Sequence, residues 1–318
     1  MIVYDGSMDK DAYKAVFGRT MEAIAAEDKD VVYLDADLMN SIGTHGFWKK
    51  NKKQAINCGI AEADMIGIAA GLSAGGKKPY VHTFGPFASR RCFDQLFLSV
   101  AYAGNSVRVF GSDAGVTASF NGGTHMPFED MALLRAVPHS TVIEISDGMM
   151  LEKVMRLLKD RNGLSYTRLT RKNYPKIYSA DHPLTIGKGE VLRDGGDITI
   201  IACGLMVGEA MKAAETLAKE GIKACVVDMW TIKPLDTALV EKCARETGAL
   251  LTTENHNVIG GLGDAVGAAL LASGIPAKMR KHGVADEFGS VGPQDYLQEH
   301  YGLTSAQIVV HAKTLLGK

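Results

Sequence analysis

Aromatic residues supply only 7% of this 318-residue chain, and its five cysteines (Cys58, Cys92, Cys203, Cys225 and Cys243) include no C-x-x-C pair. An odd set of widely spaced cysteines excludes a disulfide framework and a thiolate zinc site, and reads as free thiols in a reducing compartment. Three of them lie in apolar runs, as core residues do. Surplus charge is also lacking: 35 Lys and Arg stand against 36 Asp and Glu, a formal net charge of −1. Without excess cations to neutralise phosphates, the electrostatic case for binding nucleic acid or an anionic membrane disappears. No run reaches the ~18 consecutive apolar residues of a membrane span. Met1–Lys10 has no basic stretch leading into an apolar one, so no secretory signal is expected. Neither H-E-x-x-H nor G-x-x-x-x-G-K-[ST] occurs, and His and Cys do not cluster at metal-ligand spacing. The expectation is a soluble, cytoplasmic globular protein with no metal site of its own.

What the chain does have is 46% hydrophobic residues and 35 glycines, which suits an α/β protein with many tight turns. At ~100–200 residues per domain its length gives two. Short apolar runs at Asp30–Asp35, Lys78–Thr83, Val107–Gly111, Thr141–Ile145 and Leu164–Leu169 read as buried strands. Helical patterns fall at Asp11–Ala26, Glu62–Ala74, Ala88–Ala103, Glu129–Ala136 and Asp147–Lys159. This alternation predicts a doubly wound, mostly parallel sheet with helices on both faces. The period is lost over Lys172–Gly189, a linker composition. A second α/β series follows, with strands at Asp197–Cys203, Ile222–Met229, Ala249–Glu254 and Ala277–His282. Helices are expected at Val207–Glu220, Leu262–Ala272 and the C-terminus. The division is 1–175, a linker at 176–185, and a smaller domain at 186–318. The lysines of Lys49–Lys53 are expected in a solvated loop. Gly261–Gly267 is glycine-rich before a helix but departs from the dinucleotide spacing by one, and reads as a tight strand-to-helix turn.

The most informative stretch is Asn57-Cys58-Gly59-Ile60-Ala61-Glu62, running into a helix with Gly67, Gly71 and Gly75 spaced by four. Each helical Gly costs ~1 kcal/mol relative to Ala. Three on one face point either to another backbone approaching closely, as at a subunit contact, or to a crowded core against the sheet. Glu62 in the first turn complements the helix dipole by ~0.3–1 kcal/mol and on composition alone needs no further role.

Gly59-Ile60-Ala61-Glu62 with Gly67-Ile68-Ala69-Ala70-Gly71-Leu72 resembles the pyrimidine-binding domain of transketolase-like thiamine diphosphate enzymes. The resemblance extends through Asp35-Ala36-Asp37-Leu38, Thr83-Phe84-Gly85-Pro86-Phe87, Arg91-Cys92-Phe93-Asp94-Gln95, Gly122-Gly123-Thr124-His125-Met126-Pro127 and Leu134-Arg135-Ala136-Val137-Pro138. Residues 186–318 look like the family's C-terminal domain, so the resemblance covers essentially the whole chain.

The resemblance implies that Glu62 hydrogen-bonds a ring nitrogen of the cofactor's aminopyrimidine and favours its imino tautomer, the form that activates the thiazolium carbon. A desolvated carboxylate can share a proton with so weak a base. Phe84 and Phe87 would form the aromatic pocket, with Phe87 stacking on the pyrimidine. Asp37 and Leu38 would lie near the thiazolium, and Arg91 and Asp94 would brace the pocket. His125 would face substrate as an acid–base group, and Arg171 would grip a sugar phosphate with its guanidinium fork. Ser41 and Lys10 would occupy neighbouring phosphate-side positions.

Two departures bear on specificity. Asn121 stands where many transketolases have an Asp that reads hydroxyl stereochemistry, and Lys10 stands where Arg is common. The family's Gly-Asp-Gly motif and downstream Asn, which hold magnesium and the diphosphate, are absent; Asp194-Gly195-Gly196-Asp197 is a different sequence in the wrong domain. The resemblance thus implies a split transketolase, this chain being the C-terminal subunit and a second polypeptide supplying Mg2+ and the diphosphate half. The expected assembly is a heterotetramer that moves a two-carbon ketol unit from a ketose phosphate to an aldose. The alternatives are a beta subunit of a 2-oxoacid dehydrogenase and a non-catalytic assembly module of the same fold. Deoxyxylulose-phosphate synthase chains normally contain all three domains. Thr124-His125-Met126-Pro127 and Leu134–Pro138 favour transketolase.

Overall fold

The computed structural model describes residues 1–318, which fall into two compact units. The first is built mainly from Val3–Ala114 and Leu133–Leu184. Its strands are β1 (Val31–Asp35), β2 (Ala55–Asn57), β3 (Lys78–Phe84), β4 (Val107–Ser112), β5 (Thr141–Glu144) and β6 (Leu164–Leu169). They lie side by side in the order β5-β6-β4-β3-β1-β2, all parallel. β1, β4, β5 and β6 are buried along their full lengths, as strands covered by helices on both faces must be. The chain leaves β1 toward β2 on one side and then returns to β3 on the other. Strand order therefore reverses between β1 and β3, and the carboxyl ends of these two strands border the crevice where doubly wound sheets bind ligands.

A buried polar network braces that end of the sheet. The His82 ring bridges Asp35, 2.8 Å from Nδ1 to Oδ2, and Ser112, 2.9 Å from Nε2 to Oγ. The Tyr33 hydroxyl donates to Asp35 Oδ2 at 2.5 Å, and Asp35 Oδ1 accepts the Leu38 backbone N–H. Burying a carboxylate without partners costs several kcal/mol, so saturating Asp35 in this way fixes both the strand ends and the loop that follows β1.

Helix Glu62–Ala74 has the predicted bounds, but the long helix expected at Ala88–Ala103 does not form. Ser89 is non-helical (φ −125, ψ −89) and its hydroxyl closes back onto the Gly85 carbonyl at 2.7 Å. The segment becomes a short helix at Gly85–Ala88, a 3-10 turn at Arg90–Cys92, a further turn at Phe93–Gln95, and a widened π-type helix at Leu96–Tyr102. The sequence reading missed the helices Met39–Ile42 and His45–Lys50 and the strand β2; Lys49 and Lys50 are helical rather than in a loop. Nor is the glycine face crowded. A Cβ at Gly67 or Gly71 would meet nothing within 4 Å, and both residues are exposed, so the packed-core alternative is excluded.

The second unit consists mainly of Gly115–Ala132 and Thr185–Lys318. Its sheet contains β7 (Glu190–Arg193), β8 (Ile198–Ala202), β9 (Ala224–Asp228), β11 (Ala249–Asn257) and β12 (Lys278–Val284); the three-residue strand Thr231–Lys233 is β10. The order is β12-β11-β8-β9-β7, with only β7 antiparallel to its neighbour. Gly115–Ala132 joins this unit although it precedes the division at 175. Asn255 Oδ1 accepts the Val116 N–H at 3.0 Å, and Gly115 (φ +52) passes so close that a Cβ would lie 2.1 Å from the same oxygen.

His282 on β12 makes the second unit sensitive to acid. Its Nε2 lies 2.9 Å from the Gly302 carbonyl and its Nδ1 3.0 Å from Thr253 Oγ1, a pairing complete for the neutral ring. Burial, then the neighbouring His311 and Arg280, lowers its pKa to about 4. An unfolded His titrates near ~6.5, so between those values the unfolded chain binds the extra proton and stability falls as pH falls. The full loss is about 3 kcal/mol. Melting temperature should drop steeply from pH 6.5 to 4 in the wild type and less steeply in His282→Gln; parallel profiles would contradict this.

Candidate active site

Asn57 Oδ1 accepts the Gly59 N–H at 2.9 Å, and Gly59 (φ +72) turns the chain from β2 into helix Glu62–Ala74. Glu62 is thereby placed in the first helical turn, where it is only 2% exposed. Each of its carboxylate oxygens lies 2.9 Å from Nη1 of Arg91. The Arg91 guanidinium stacks 3.7 Å above the Phe87 ring, and the Phe84 and Phe87 rings are 6.3 Å apart. Phe87 and Arg91 lie on either side of the break at Ser89. On the other ring, the guanidinium carbon of Arg171 lies 5.1 Å from the centre of Phe84, and Arg171 Nε donates to Asp113 Oδ1 at 2.7 Å.

Asp37, Leu38 and Ser41 follow the carboxyl end of β1. Asp37 holds a left-handed conformation (φ 63), fixed by the Asn57 side-chain amide donating to its Oδ1 at 2.8 Å. Leu38 is anchored by Asp35, and its own carbonyl accepts the Ser41 N–H at 2.8 Å. Lys10 is exposed on a strap stitched to the Arg171 segment, with Asp9 N–H bonded to the Tyr174 carbonyl and Tyr13 N–H to that of Lys172.

Asp94 is exposed, and the bracing contact within the chain is that of Arg91 to Glu62. Asn121 and His125 belong to the second unit, on the 3-10 turns Gly115–Asn121 and Gly123–His125. Asn121 is exposed; His125 is half-buried, with Nδ1 2.9 Å from Thr124 Oγ1. Sequence reasoning missed Asp113 and the Asp35–His82–Ser112 network. An acid directly after an apolar strand was the available signal for Asp113.

The nearby thiols are not nucleophiles. Burial, then the charge of Glu62, pushes the Cys92 thiol up to about 12, and burial with Asp64 raises Cys58 to about 11. Both remain protonated near neutral pH.

The residues fit the pyrimidine half of thiamine diphosphate. Phe87 already carries a flat, electron-poor group on its face at contact distance, and a buried carboxylate acceptor stands beside it. An aminopyrimidine offers the same flat face and donors. Glu62, Phe84, Phe87 and Arg91 would hold it. No group of three or more His, Cys, Asp or Glu side chains is placed to hold a metal ion, and no helix is long and apolar enough to cross a membrane.

Known proteins resemble this chain along nearly its whole length. The family model for the transketolase pyrimidine binding domain matches residues 9–176, and that for the transketolase C-terminal domain matches residues 187–308. The 6-deoxy-6-sulfo-D-fructose transketolase subunit SqwH of Clostridium sp. (strain MSTE9) is 48% identical over 285 residues, 90% of this chain and 88% of that protein. A subunit of the apulose-4-phosphate transketolase of Phocaeicola vulgatus is 36% identical, over 92% of this chain and 93% of that protein. Among solved structures, a split gene transketolase described as an inactive beta4 tetramer superposes with a TM-score of 0.88 at 37% identity. It covers 96% of this chain and 98% of that chain.

Proposed function

This chain belongs to the transketolase family, and from that membership we propose that it is the C-terminal subunit of a split, thiamine diphosphate-dependent transketolase. The reaction is transfer of a two-carbon ketol unit from a ketose phosphate to an aldose. The observation that carries the reading is Glu62, a buried carboxylate beside the aromatic face of Phe87. When bound, thiamine diphosphate supplies the electron sink that carbon–carbon cleavage needs. Glu62 holds and shares the proton on the pyrimidine ring, Phe87 stacks on that ring, and Arg91 gives up one carboxylate oxygen to admit it. Arg171, with Lys10 and Ser41, binds the anionic end of the sugar; Asp37 and Leu38 line the thiazolium side; Asn121 and His125 face the substrate hydroxyls, His125 as the proton carrier. A partner subunit supplies Mg2+ and the diphosphate site, in a cytoplasmic heterotetramer for which the open Gly67/Gly71 face is a contact surface. Two of the relatives named above are themselves subunits.

The test is purification of the tagged chain from its native host, with intact-mass analysis and a ketol-transfer assay. A second chain in equal amount, retained thiamine diphosphate and transfer between sugars are expected. Oxidative decarboxylation of a 2-oxoacid instead would replace the reading with the dehydrogenase subunit. A cofactor-free homo-oligomer without turnover would replace it with an assembly module.

A further inference from the structure

Two of the five thiols converge in the second unit. Cys225 lies on β9, in parallel register with Thr199 of β8, so the two side chains leave the same face of the sheet. The helix Thr237–Thr247 is held to that face by the Thr247 hydroxyl, 3.1 Å from Thr199 Oγ1. Cys243 stands one turn before Thr247, whose hydroxyl donates to the Cys243 carbonyl at 2.9 Å. A spacing of four places both side chains on the side of the helix that meets the strands. Cys243 and Cys225 therefore act directly on one another. Hydrogen bonding from Cys225 holds the Cys243 thiol below the usual cysteine value, and the same contact, followed by burial, raises Cys225. The flanking charges of Glu246 and Lys242 oppose each other at Cys243. The pair is not sealed in the core. A cavity of about 500 Å³ lies beside it, lined by both cysteines, Lys223, Lys242 and the loop 194–196. Gly195 brings that loop against β9: a Cβ there would lie 2.4 Å from the Cys225 nitrogen.

We propose that Cys225 and Cys243 are a modification site for hydroperoxides, a dithiol that closes to an intrachain disulfide joining β9 to the helix Thr237–Thr247. The thiolate is the reactive form of cysteine, and Cys243 is the member of the pair that forms it more readily. Its sulfur attacks one oxygen of hydrogen peroxide. The O–O bond breaks, the departing hydroxide takes up a proton as water, and Cys243 becomes a sulfenic acid. The negative charge that raised Cys225 is then gone. The Cys225 sulfur attacks that of Cys243, the S–S bond forms, the S–O bond breaks, and the second hydroxide leaves with the Cys225 proton as water. The two thiols lose two electrons and the peroxide gains them. Cys58 and Cys92, held protonated by pKa values of about 11 and 12, lack the thiolate that begins this sequence.

The experiment titrates the purified chain with hydrogen peroxide up to one equivalent, alkylates the remaining thiols in denaturant and maps the peptides by mass. The expected product is a peptide pair joined through Cys225 and Cys243, lighter by two hydrogens than the reduced pair and restored by dithiothreitol. Cys58, Cys92 and Cys203 should stay alkylable while both partners lose that property together. In Cys225→Ser, Cys243 should stop at the sulfenic acid and be trapped by dimedone; in Cys243→Ser, Cys225 should remain alkylable. A wild type in which Cys58 or Cys92 reacts while Cys225 and Cys243 stay reduced overturns the assignment without any variant. A bridge between two chains, or oxidation of Cys243 beyond the sulfenic acid with no bridge, overturns it equally.

Discussion

Glu62→Gln should lower kcat of the reconstituted complex by roughly 10²–10⁴-fold, the usual range for losing a positioned acid–base group, while the chain still folds and assembles. Glutamine keeps the volume at a position only 2% exposed, but it cannot take up a proton and exchanges one acceptor oxygen for a donor amide. The structural cost is small. The helix-dipole contribution of an acid in the first turn is about 0.3–1 kcal/mol, and Arg91, whose side chain is 44% exposed, can turn to solvent when its partner changes. Melting temperature, complex mass and thiamine diphosphate retention should therefore stay close to wild type while turnover collapses. Glu62→Asp, which keeps the charge and shortens the reach, should recover part of the activity. Near-normal turnover in Glu62→Gln would reduce Glu62 to a helix-start acid.

The same geometry gives Arg91 two opposing roles. Stacked on Phe87 and spanning both oxygens of Glu62, it neutralises a carboxylate that would otherwise be buried without a partner. It also stands on the surface that a pyrimidine would use. A half-exposed guanidinium can do both only because it regains water when displaced while the incoming ring's donor takes its place on Glu62; without that donor the carboxylate would be left buried and unpaired.

How much of this was legible in the sequence follows from the range of each interaction. The strands β1, β4 and β6 could be read because burial on both faces demands unbroken apolar runs. Helix Glu62–Ala74 could be read because Gly59 and Gly75 punctuate it. The break at Ser89 could not: the apolar spacing of 88–103 is helical, and the hydroxyl contact with Gly85 that competes with it leaves no periodic trace. Asp113 could be noticed as an acid after an apolar strand, but its partner could not be read. Its meaning lies in Arg171, 58 residues away, and only the β4–β6 pairing brings the two together. The segment Gly115–Ala132 reads as a continuation of the first domain because chain order is all the sequence offers; the Asn255 contact that claims it lies 139 residues on. Resemblance to a family singled out Glu62, Phe87 and Arg171 as candidates, but it did not indicate that an acid would sit behind the arginine.

Arg171→Ala should lower kcat/KM for anionic donors by roughly 10- to 100-fold, because a hydrogen bond to a charged group contributes about 1.5–3 kcal/mol. A neutral ketose should lose almost nothing. Most of the change should fall on KM, since Arg171 stands on the Phe84 side of the pocket and makes no contact with Glu62. Equal losses for charged and neutral donors would remove Arg171 from the anion seat. The variant also carries a signature in its stability. Burial raises the pKa of Asp113, and the Arg171 charge and hydrogen bond are the largest influences pulling it back. Without them the folded-state value rises further above that of the unfolded chain, so at neutral pH the variant keeps a buried, uncompensated carboxylate. In the window from the usual carboxylate range upward, the folded state then binds the extra proton and stability increases as pH falls. Arg171→Ala should accordingly be destabilised at pH 7.5 and regain part of the difference from wild type by pH 5. The double variant Arg171→Ala with Asp113→Asn should lose that pH dependence while keeping the weak binding of anionic donors, which separates the arginine's role toward substrate from its role toward Asp113.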